Sequence, residues 1–313
     1  MTTLITGAGL VGTSYGQFAL KRGEKVVFVD PLPRDDYLRE RLGSSGYIVL
    51  REDVRHLPGL LQALKEHKVD TVLHTTGLIG RRVELPLHNG MDLNINGVLA
   101  VAEAVRLGGV RRLIHISTFG VYDWRRPAPV PMDEDYPLGS GQPYSNTKAA
   151  QELLLEAYQR TYGFELIILR PANVFGVGHF WGGSGGGEKV QTLVESGLHG
   201  IPARIPQEQT MAFEYVYSKD IGRALDLAAT VPMPEKNVFN IGIGEVTTFD
   251  QLVGHVRRVV NDLTVEITPG TPPLSRIQHM SIDRAAKYLG WRPSYTLEAA
   301  FDDYAKDLRG RMK

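Results

Sequence analysis

A glycine-rich turn near the start of the chain constrains the fold more than any other feature. The apolar run Thr3–Thr6 leads into Gly7-Ala8-Gly9-Leu10-Val11-Gly12, and a helix-like stretch follows. Between a strand and a helix, the first glycine permits a tight turn, the second lets the backbone approach a pyrophosphate, and the third lets the helix pack on the strand. The helix N-terminus favours anions through its dipole and its free N–H groups. The residues predicted to contact a dinucleotide pyrophosphate are Gly7, Gly9, Leu10, Val11 and Gly12.

An acidic residue follows the second apolar run. Asp30 lies 18 residues after Gly12. A carboxylate there accepts hydrogen bonds from both ribose hydroxyls and repels a 2′-phosphate, which favours NAD over NADP. Arg34 lies close by in sequence and weakens this preference slightly. Asp53 and Val54 follow the third run and are candidates for contact with the adenine, although Asp53 is as well placed to cap the next helix.

Short apolar runs alternate with longer amphipathic stretches through the first half of the chain. This alternation predicts a parallel sheet with helices on both faces, that is, a Rossmann-type doubly wound α/β fold. The predicted strands are Thr3–Thr6, Lys25–Val29, Tyr47–Leu50, Thr71–His74, Leu113–Ser117 and Glu165–Leu169. The predicted helices are Leu10–Lys21, Leu57–Glu66, Met91–Leu107 and Tyr144–Tyr162.

The regular alternation ends after Arg170. Residues 176–187 contain seven glycines, and we predict a flexible loop there. The later predicted elements are helices Lys189–Leu198, Ser218–Ala229, Thr248–Val260 and Tyr295–Leu308 and strand Asn237–Ile241, with Thr248 and Gln251 at capping-box spacing. We expect an NAD-binding part of residues 1–170 plus about 215–243, and a smaller discontinuous substrate lobe of about 171–214 plus 244–313. The ligand is expected in the cleft at the carboxyl ends of the strands.

The composition narrows the possible functions. The 35 Lys and Arg residues balance the 35 Asp and Glu residues, which argues against binding to nucleic acid or to an anionic membrane. The absence of cysteine excludes disulfides and thiolate nucleophiles. No apolar run approaches the roughly 20 residues that span a bilayer, so we expect a cytoplasmic protein. The histidine spacing does not predict a metal site.

A tyrosine and a lysine form the strongest catalytic pattern. Tyr144 and Lys148 are four residues apart, which places them on one face of a helix. Hydride transfer at a carbinol carbon requires a proton to leave or join its oxygen. A free tyrosine has a pKa of about 10, and a nearby ammonium or a positively charged nicotinamide ring favours its phenolate. Ser117 and Thr118, at the end of the fifth strand, offer hydroxyls to the substrate oxygen.

Several segments together resemble the extended short-chain dehydrogenase/reductases, and in particular the NAD-dependent epimerase/dehydratase family that includes UDP-sugar 4-epimerases. These segments are His74-Thr75-Thr76-Gly77, Asn94-Ile95-Asn96-Gly97, His115–Tyr122 and Leu169–Gly176. The resemblance implies that NAD lies beside Thr75, Thr76, Gly77 and Asn94, with Lys148 at its ribose. It also identifies Thr118 as the catalytic hydroxyl and Asn173 as a residue that hydrogen-bonds the substrate.

Three departures from the family pattern concern the chemistry and the substrate. The glycine turn is one residue shorter than usual, yet it still meets the dinucleotide pattern. Phe119-Gly120 follows Thr118 where 4,6-dehydratases have an Asp-Glu pair, which argues against elimination. Phe213-Glu214 stands where related enzymes carry an arginine for a diphosphate, which argues against a UDP-sugar.

The sequence therefore predicts an NAD-dependent oxidoreductase that transfers a hydride at a secondary alcohol or carbonyl carbon of a sugar-like or polyhydroxylated substrate. The open alternatives are a dehydrogenase or reductase of a small non-nucleotide hydroxy compound or sugar acid, and an inactive NAD-binding regulator. Further candidates for substrate contact are Arg81, Trp181 and Phe213. The apolar face of Tyr144–Tyr162, with helix Asn94–Leu107, resembles the paired helices of family dimers, so we expect a homodimer.

Overall fold

The computed structural model describes residues 1–126, 130–179, 183–260, 262–273 and 279–311, apart from the side chain of Arg81. Its strands are β1 (Thr2–Thr6), β2 (Lys25–Val29), β3 (Tyr47–Leu50), β4 (Thr71–His74), β5 (Arg112–Ile116), β6 (Glu165–Pro171), β7 (Asn173–Phe175), β8 (Ala203–Pro206), β9 (Tyr215–Tyr217), β10 (Val238–Ile241) and β11 (Val265–Thr268). Its helices are α1 (Leu10–Lys21), α2 (Asp35–Leu42), α3 (Leu57–Glu66), α4 (Arg81–Glu84), α5 (Leu87–Gly108), α6 (Pro143–Tyr162), α7 (Gly185–His199), α8 (Ser218–Thr230), α9 (Phe249–Val259), α10 (Asp283–Leu289) and α11 (Leu297–Arg311).

A seven-stranded parallel sheet forms the centre of the fold. The strands are ordered β10-β6-β5-β4-β1-β2-β3, and every neighbouring pair is parallel. Strands β1, β4 and β5 are buried along their whole length, as expected when helices cover both faces. The predicted doubly wound α/β fold is confirmed. The strand order reverses between β1 and β4, which places a ligand-binding crevice at their carboxyl ends.

Helices pack on both faces of this sheet. One apolar core includes residues of α1 and α8, and another lies under α3, α5 and α6. Within the described chain, no helix combines the length and the apolar character needed to cross a membrane.

A third apolar core joins helices α7, α9 and α11 to short strands outside the main sheet. There β7 pairs with β9, and β8 pairs with β11. Phe175 stacks on Phe301 with 5.0 Å between ring centroids. The predicted capping box is present at the start of α9, with reciprocal bonds between Thr248 and Gln251.

The prediction of a flexible loop over residues 176–187 is wrong at its end, because α7 begins at Gly185. The Ser184 hydroxyl caps this helix by accepting from the Gly187 amide at 3.3 Å. Side chains of other residues occupy the space that a Cβ would need at Gly186 and Gly187, whereas a Cβ at Gly185 would meet nothing within 4 Å. A Cβ at Gly186 would lie 2.3 Å from Asn173 Oδ1. Gly186 and Gly187 therefore permit close packing at the start of the helix.

Candidate active site

The glycine turn has the geometry of an anion cradle. Gly7 has a φ of +89°, and a Cβ at Gly12 would lie 2.3 Å from the Gly7 carbonyl oxygen. A Cβ at Gly9 would meet nothing within 4 Å, so this side of the turn is open. Helix α1, which begins with Leu10 and Val11, has no side-chain cap and no acid in its first turn. Its N–H groups are therefore available to a pyrophosphate, and the turn fits the dinucleotide predicted for it.

Asp30 faces the same turn and fits the ribose of NAD. Its Oδ2 accepts from the Ala8 amide and its Oδ1 from the Leu32 amide, both at 2.9 Å. Each carboxylate oxygen keeps a further acceptor position for a ribose hydroxyl. The Arg34 guanidinium instead stacks 4.3 Å over the Tyr37 ring and donates to the Gly178 carbonyl at 2.6 Å. Arg34 is therefore already bonded to other groups and is not available to a 2′-phosphate, which supports NAD rather than NADP as the cofactor.

The residues after β3 are held by protein contacts. The Asp53 carboxylate pairs with Arg55 at 2.6 Å, and this bond holds the pKa of Asp53 below its usual value. Asp53 does not cap α3, whose N-cap residue is His56. Val54 is buried against α5, where a Cβ at Gly97 would lie 3.0 Å from it.

The segment after β4 lies against α5 and α6. Asn94 accepts from the Leu78 amide at 2.8 Å and donates to the Thr147 hydroxyl at 3.0 Å. A Cβ at Gly77 would lie 3.3 Å from Asn94 Oδ1 and 3.7 Å from Lys148 Nζ. Thr75 and Thr76, which precede Gly77 in the chain, are half-buried. Asn94 therefore fixes the predicted nicotinamide side of the site to the helix that carries Lys148.

Tyr144 and Lys148 occupy the first two turns of α6. Lys148 is 2% exposed, and its Nζ donates to the Ile116 carbonyl at 2.9 Å. Burial lowers the pKa of Lys148 to about 8, and the charge of Glu152 opposes that fall. Burial raises the pKa of the Tyr144 phenol. Desolvation of the phenol is the cause, and it opposes the lowering of the tyrosine pKa that the sequence suggests.

Thr118 lies beside this helix, two residues after the end of β5. Its Oγ1 accepts from the Gly120 amide at 3.1 Å and caps a 3₁₀ turn, Phe119–Val121. A Cβ at Gly120 would lie 2.6 Å from Ser145 Oγ, so this turn packs against the first turn of α6. The fold therefore brings Thr118, Tyr144 and Lys148 to one end of β5.

Ser117 belongs to a buried ion-pair network rather than to the cleft. It is 1% exposed, and its hydroxyl bonds to Glu152. Arg170 donates three hydrogen bonds to the same carboxylate, at 2.6, 3.0 and 3.2 Å, and its Nη1 donates to the Tyr122 hydroxyl at 3.1 Å. The Ser117 hydroxyl is therefore committed to the Glu152–Arg170 pair.

The other predicted substrate residues are placed as follows. Asn173, on β7, donates to the Glu214 carbonyl at 3.1 Å. Phe213 is half-buried, with its ring centroid 4.7 Å from Lys189 Nζ. Arg81 begins helix α4, and its side chain lies outside the described part of the chain. Trp181 also lies outside the described residues.

Sequence reasoning missed two buried charges, Glu152 and Lys189. Glu152 follows Lys148 by four residues, so helical spacing places it on the face of α6 that carries Tyr144 and Lys148. Lys189 precedes Leu193 by four residues, so it interrupts the apolar face of α7. In each case the signal was a charge at the spacing of a buried helical face.

Two buried histidines fill the sheet near Lys148. His74 on β4 and His115 on β5 stack with 5.4 Å between ring centroids. Burial lowers both pKa values, that of His74 to about 3, so both rings are neutral.

In the described chain, no group of three His, Asp or Glu side chains is arranged to hold a metal ion.

Comparison with known proteins identifies the family. Residues 3–242 match the model of the NAD dependent epimerase/dehydratase family. The chain is 30% identical over 307 residues to a UDP-glucose 4-epimerase of Mycolicibacterium smegmatis, with 95% of each chain covered. Its fold matches the UDP-glucose 4-epimerase of Thermotoga maritima, solved with UDP-glucose, at a TM-score of 0.88, 25% identity and full coverage of both chains. It matches the Thermus thermophilus UDP-glucose 4-epimerase, solved with NAD, at a TM-score of 0.87, 26% identity and 99% coverage of both chains. The chain belongs to the NAD dependent epimerase/dehydratase family, and it is an NAD-dependent enzyme of the extended short-chain dehydrogenase/reductase type.

Proposed function

We propose that this protein is an NAD-dependent epimerase that inverts a secondary alcohol carbon of a nucleotide-linked sugar. The observation that carries the proposal is the placement of Thr118, Tyr144 and Lys148 together at the carboxyl end of β5, on a sheet that also holds the glycine cradle. The relatives support the choice of substrate, because UDP-glucose 4-epimerases match this chain in length and in fold.

The three side chains have distinct roles in this proposal. The Thr118 hydroxyl binds the substrate oxygen at the carbon that reacts. Tyr144 accepts the proton of that oxygen and returns it when the carbon is reduced again. The Lys148 ammonium holds the cofactor ribose and favours the phenolate of Tyr144. Bound NAD supplies the acceptor for the hydride and the donor for its return.

We assign the cofactor contacts by position. The glycine turn and the start of α1, from Gly7 to Gly12, bind the pyrophosphate, and Asp30 binds the adenosine ribose. Gly77 and Asn94 lie at the nicotinamide side. Because Asp53 is paired and Val54 is buried, we expect them to shape the adenine pocket from behind.

We divide the chain at the boundaries predicted from the sequence. Residues 1–170 and about 215–243 form the NAD-binding part, and about 171–214 and 244–313 form the substrate lobe. The third apolar core, which joins α7, α9 and α11, supports this division.

We also propose a homodimer that forms through α5 and α6. The apolar side chain of Leu153 on α6 supports it, because it is 60% exposed in the single chain.

A second candidate is a dehydrogenase of a free sugar, sugar acid or other non-nucleotide hydroxy compound. Phe213 favours it, because an aromatic ring cannot neutralise a diphosphate. The two candidates use the same catalytic residues and differ in whether NADH leaves the protein.

Product analysis with NAD⁺ separates these candidates. The protein is incubated with UDP-glucose, UDP-galactose, UDP-glucuronate, free sugars and sugar acids, and NADH absorbance is followed. An inverted UDP-sugar without net NADH supports the epimerase. Sustained NADH with a non-nucleotide compound establishes the dehydrogenase instead. Tight NAD binding with no product from any compound would favour an inactive regulator.

A further inference from the structure

The turn that carries Thr118 is held at both ends by one buried ion pair. Ser117 precedes the turn, and its hydroxyl donates to the Glu152 carboxylate. Tyr122 follows the turn, and its hydroxyl accepts from Arg170 Nη1 at 3.1 Å. Arg170 and Glu152 pair with 2.6 Å between Nη2 and Oε2. The two residues that flank the turn are therefore bonded to opposite partners of the same pair.

This pair is fixed by its surroundings. The side chains of Glu152 and Arg170 are each 5% exposed. Besides its bonds to Glu152, Arg170 donates to the Glu134 carbonyl at 2.9 Å, and its Cζ lies 4.9 Å from the centre of the Tyr122 ring. The Tyr122 hydroxyl also donates to Asn240 Oδ1 at 2.5 Å. A guanidinium holds its N–H donors in a rigid plane, so these contacts from several elements restrict Arg170 to one orientation.

Thr118 depends on these anchors for its position relative to α6. Its Oγ1 accepts from the Gly120 amide at 3.1 Å, which is a bond within its own turn. That bond does not tie the turn to α6. Glu152 lies on α6, one helical turn beyond Lys148 and two beyond Tyr144. The ion pair therefore connects the ends of the Thr118 turn to the helix that presents Tyr144 and Lys148.

Net stability is a weak explanation for such a pair. Burying two charges costs much of what their attraction returns, so well-packed apolar side chains often stabilise a fold equally well. Directional bonds do what apolar contacts cannot, because they fix distance and orientation together. Groups that act on one substrate atom must be held within hydrogen-bond reach of it, and a misplacement of about 1 Å can lower the rate about 10²-fold.

We propose that Arg170, through its ion pair with Glu152, is a positioning residue that holds Thr118 at the distance from Tyr144 that catalysis requires. The inference rests on the proposed function, in which both hydroxyls bind the same substrate oxygen. In this role Arg170 touches no reacting atom and acts through the two residues that flank the turn.

Two mild substitutions test the proposal. Ser117→Ala and Tyr122→Phe each remove one anchor and leave the ion pair in place. Each is made alone and together with Thr118→Ala. Ser45→Ala and Tyr162→Phe remove a hydroxyl at exposed positions and serve as matched controls. Thermal unfolding shows whether each variant is folded.

Two readouts are used with the NAD-loaded protein. The first is the pH profile of kcat and KM with UDP-galactose, or with another compound for which product analysis finds turnover. The second is hydrogen–deuterium exchange of residues 117–122 without substrate, which reports local opening of the turn.

We expect each anchor variant to lower kcat by about 10- to 100-fold with little change in KM. Exchange within the turn should be faster, and both controls should match the parent protein. In the Thr118→Ala background the same substitutions should change kcat by less than about twofold, because the side chain that they position is absent. The alkaline limb of the pH profile should stay in place, because both variants keep the Glu152 charge beside Lys148.

Three results would overturn the proposal. One is parent-like kcat and exchange in both anchor variants. Another is an equal loss of kcat with and without the Thr118 side chain, which would show that the anchors act elsewhere. A third is a shifted alkaline limb, which would show that they act through Lys148.

Other results would contradict the proposed function instead. Full activity in Thr118→Ala would remove Thr118 from the proposed mechanism. If no compound is turned over, the proposed function fails, and hydrogen–deuterium exchange alone decides whether the ion pair holds the turn.

Discussion

Glu152 lies one helical turn beyond Lys148 on α6, and its carboxylate opposes the fall in the Lys148 pKa that burial causes. Glu152 is itself buried and bonded to Ser117 and Arg170. The charge of Lys148 therefore depends on the buried network of Glu152, Ser117 and Arg170.

Glu152→Gln should move the alkaline limb of the pH–rate profile to lower pH. In the proposed mechanism Lys148 acts as an ammonium, and its pKa is already lowered to about 8. Loss of the neighbouring negative charge lowers that pKa further, so the ammonium is lost earlier as the pH rises. The profile of kcat against pH measures the shift.

The same substitution leaves Arg170 without its partner, which we expect to reduce the free energy of unfolding by about 3–5 kcal/mol. Thermal unfolding must therefore accompany the kinetic profile. Glu156→Gln is the matched control, because Glu156 lies on the same helix in an exposed pair with Arg160. An unmoved alkaline limb in folded Glu152→Gln would show that Glu152 does not set the charge of Lys148.

Tyr144→Phe should lower kcat by about 10²- to 10⁴-fold, the usual contribution of a general acid–base group. The phenyl ring keeps the packing, so NAD affinity and thermal stability should be nearly unchanged. Steady-state kinetics and NAD titration measure the two effects. Tyr162→Phe, at an exposed tyrosine of the same helix, should leave kcat unchanged. Full activity in Tyr144→Phe would remove Tyr144 from the mechanism.

Alanine at two glycines of the same turn should give opposite results. Gly9 has φ −87° and ψ −167°, which alanine adopts, and its Cβ would meet no protein atom within 4 Å. Gly9→Ala should therefore unfold at nearly the parent temperature but bind NAD at least about tenfold more weakly, a loss of about 1.4 kcal/mol. Gly12→Ala should lose about 1–3 kcal/mol of stability, because its Cβ would lie 2.3 Å from the Gly7 carbonyl oxygen. Undiminished NAD affinity in Gly9→Ala would place the pyrophosphate elsewhere.

Leu153→Glu should convert the proposed homodimer to a monomer. Leu153 is 60% exposed in the single chain, and a charge there would be buried without a partner in an interface through α6. Light scattering during gel filtration measures the mass of both proteins. Lys65→Glu, on α3, changes charge away from the proposed interface and should keep the parent mass. A parent protein with the mass of one chain would disprove the dimer directly.

The sequence predicted the main sheet well because its strands and helices are periodic over many residues. Strand β1, the glycine turn and α1 were predicted almost to the residue, since the motif fixes their order. Helix α2 was missed because Asp35–Leu42 is mostly charged and has only two buried residues, Tyr37 and Leu38. Strands β7 and β9 are three residues each, which is too short for an alternating pattern to stand out.

The site was harder to predict where it depends on contacts distant in sequence. Ser117 and Thr118 are adjacent hydroxyls, and the sequence alone offered both to the substrate. Only the fold shows that Arg170, 53 residues beyond Ser117, brings Glu152 and the Ser117 hydroxyl into one buried network. Lys189 and Phe213 are likewise far apart in the chain, and their proximity needs the pairing of β7 with β9.

The Asp30 carboxylate accepts two hydrogen bonds from backbone amides, and these bonds limit how the enzyme could be engineered for another coenzyme. The carboxylate that we propose excludes a 2′-phosphate also accepts hydrogen bonds from the Ala8 and Leu32 amides. Replacing Asp30 with a small neutral residue would remove the repulsion, but it would also loosen the turn that is proposed to bind the pyrophosphate. A useful redesign therefore needs a residue such as asparagine, whose side-chain oxygen can keep at least one of these bonds. Coenzyme preference and the rigidity of the turn are thus linked at one position and would have to be altered together.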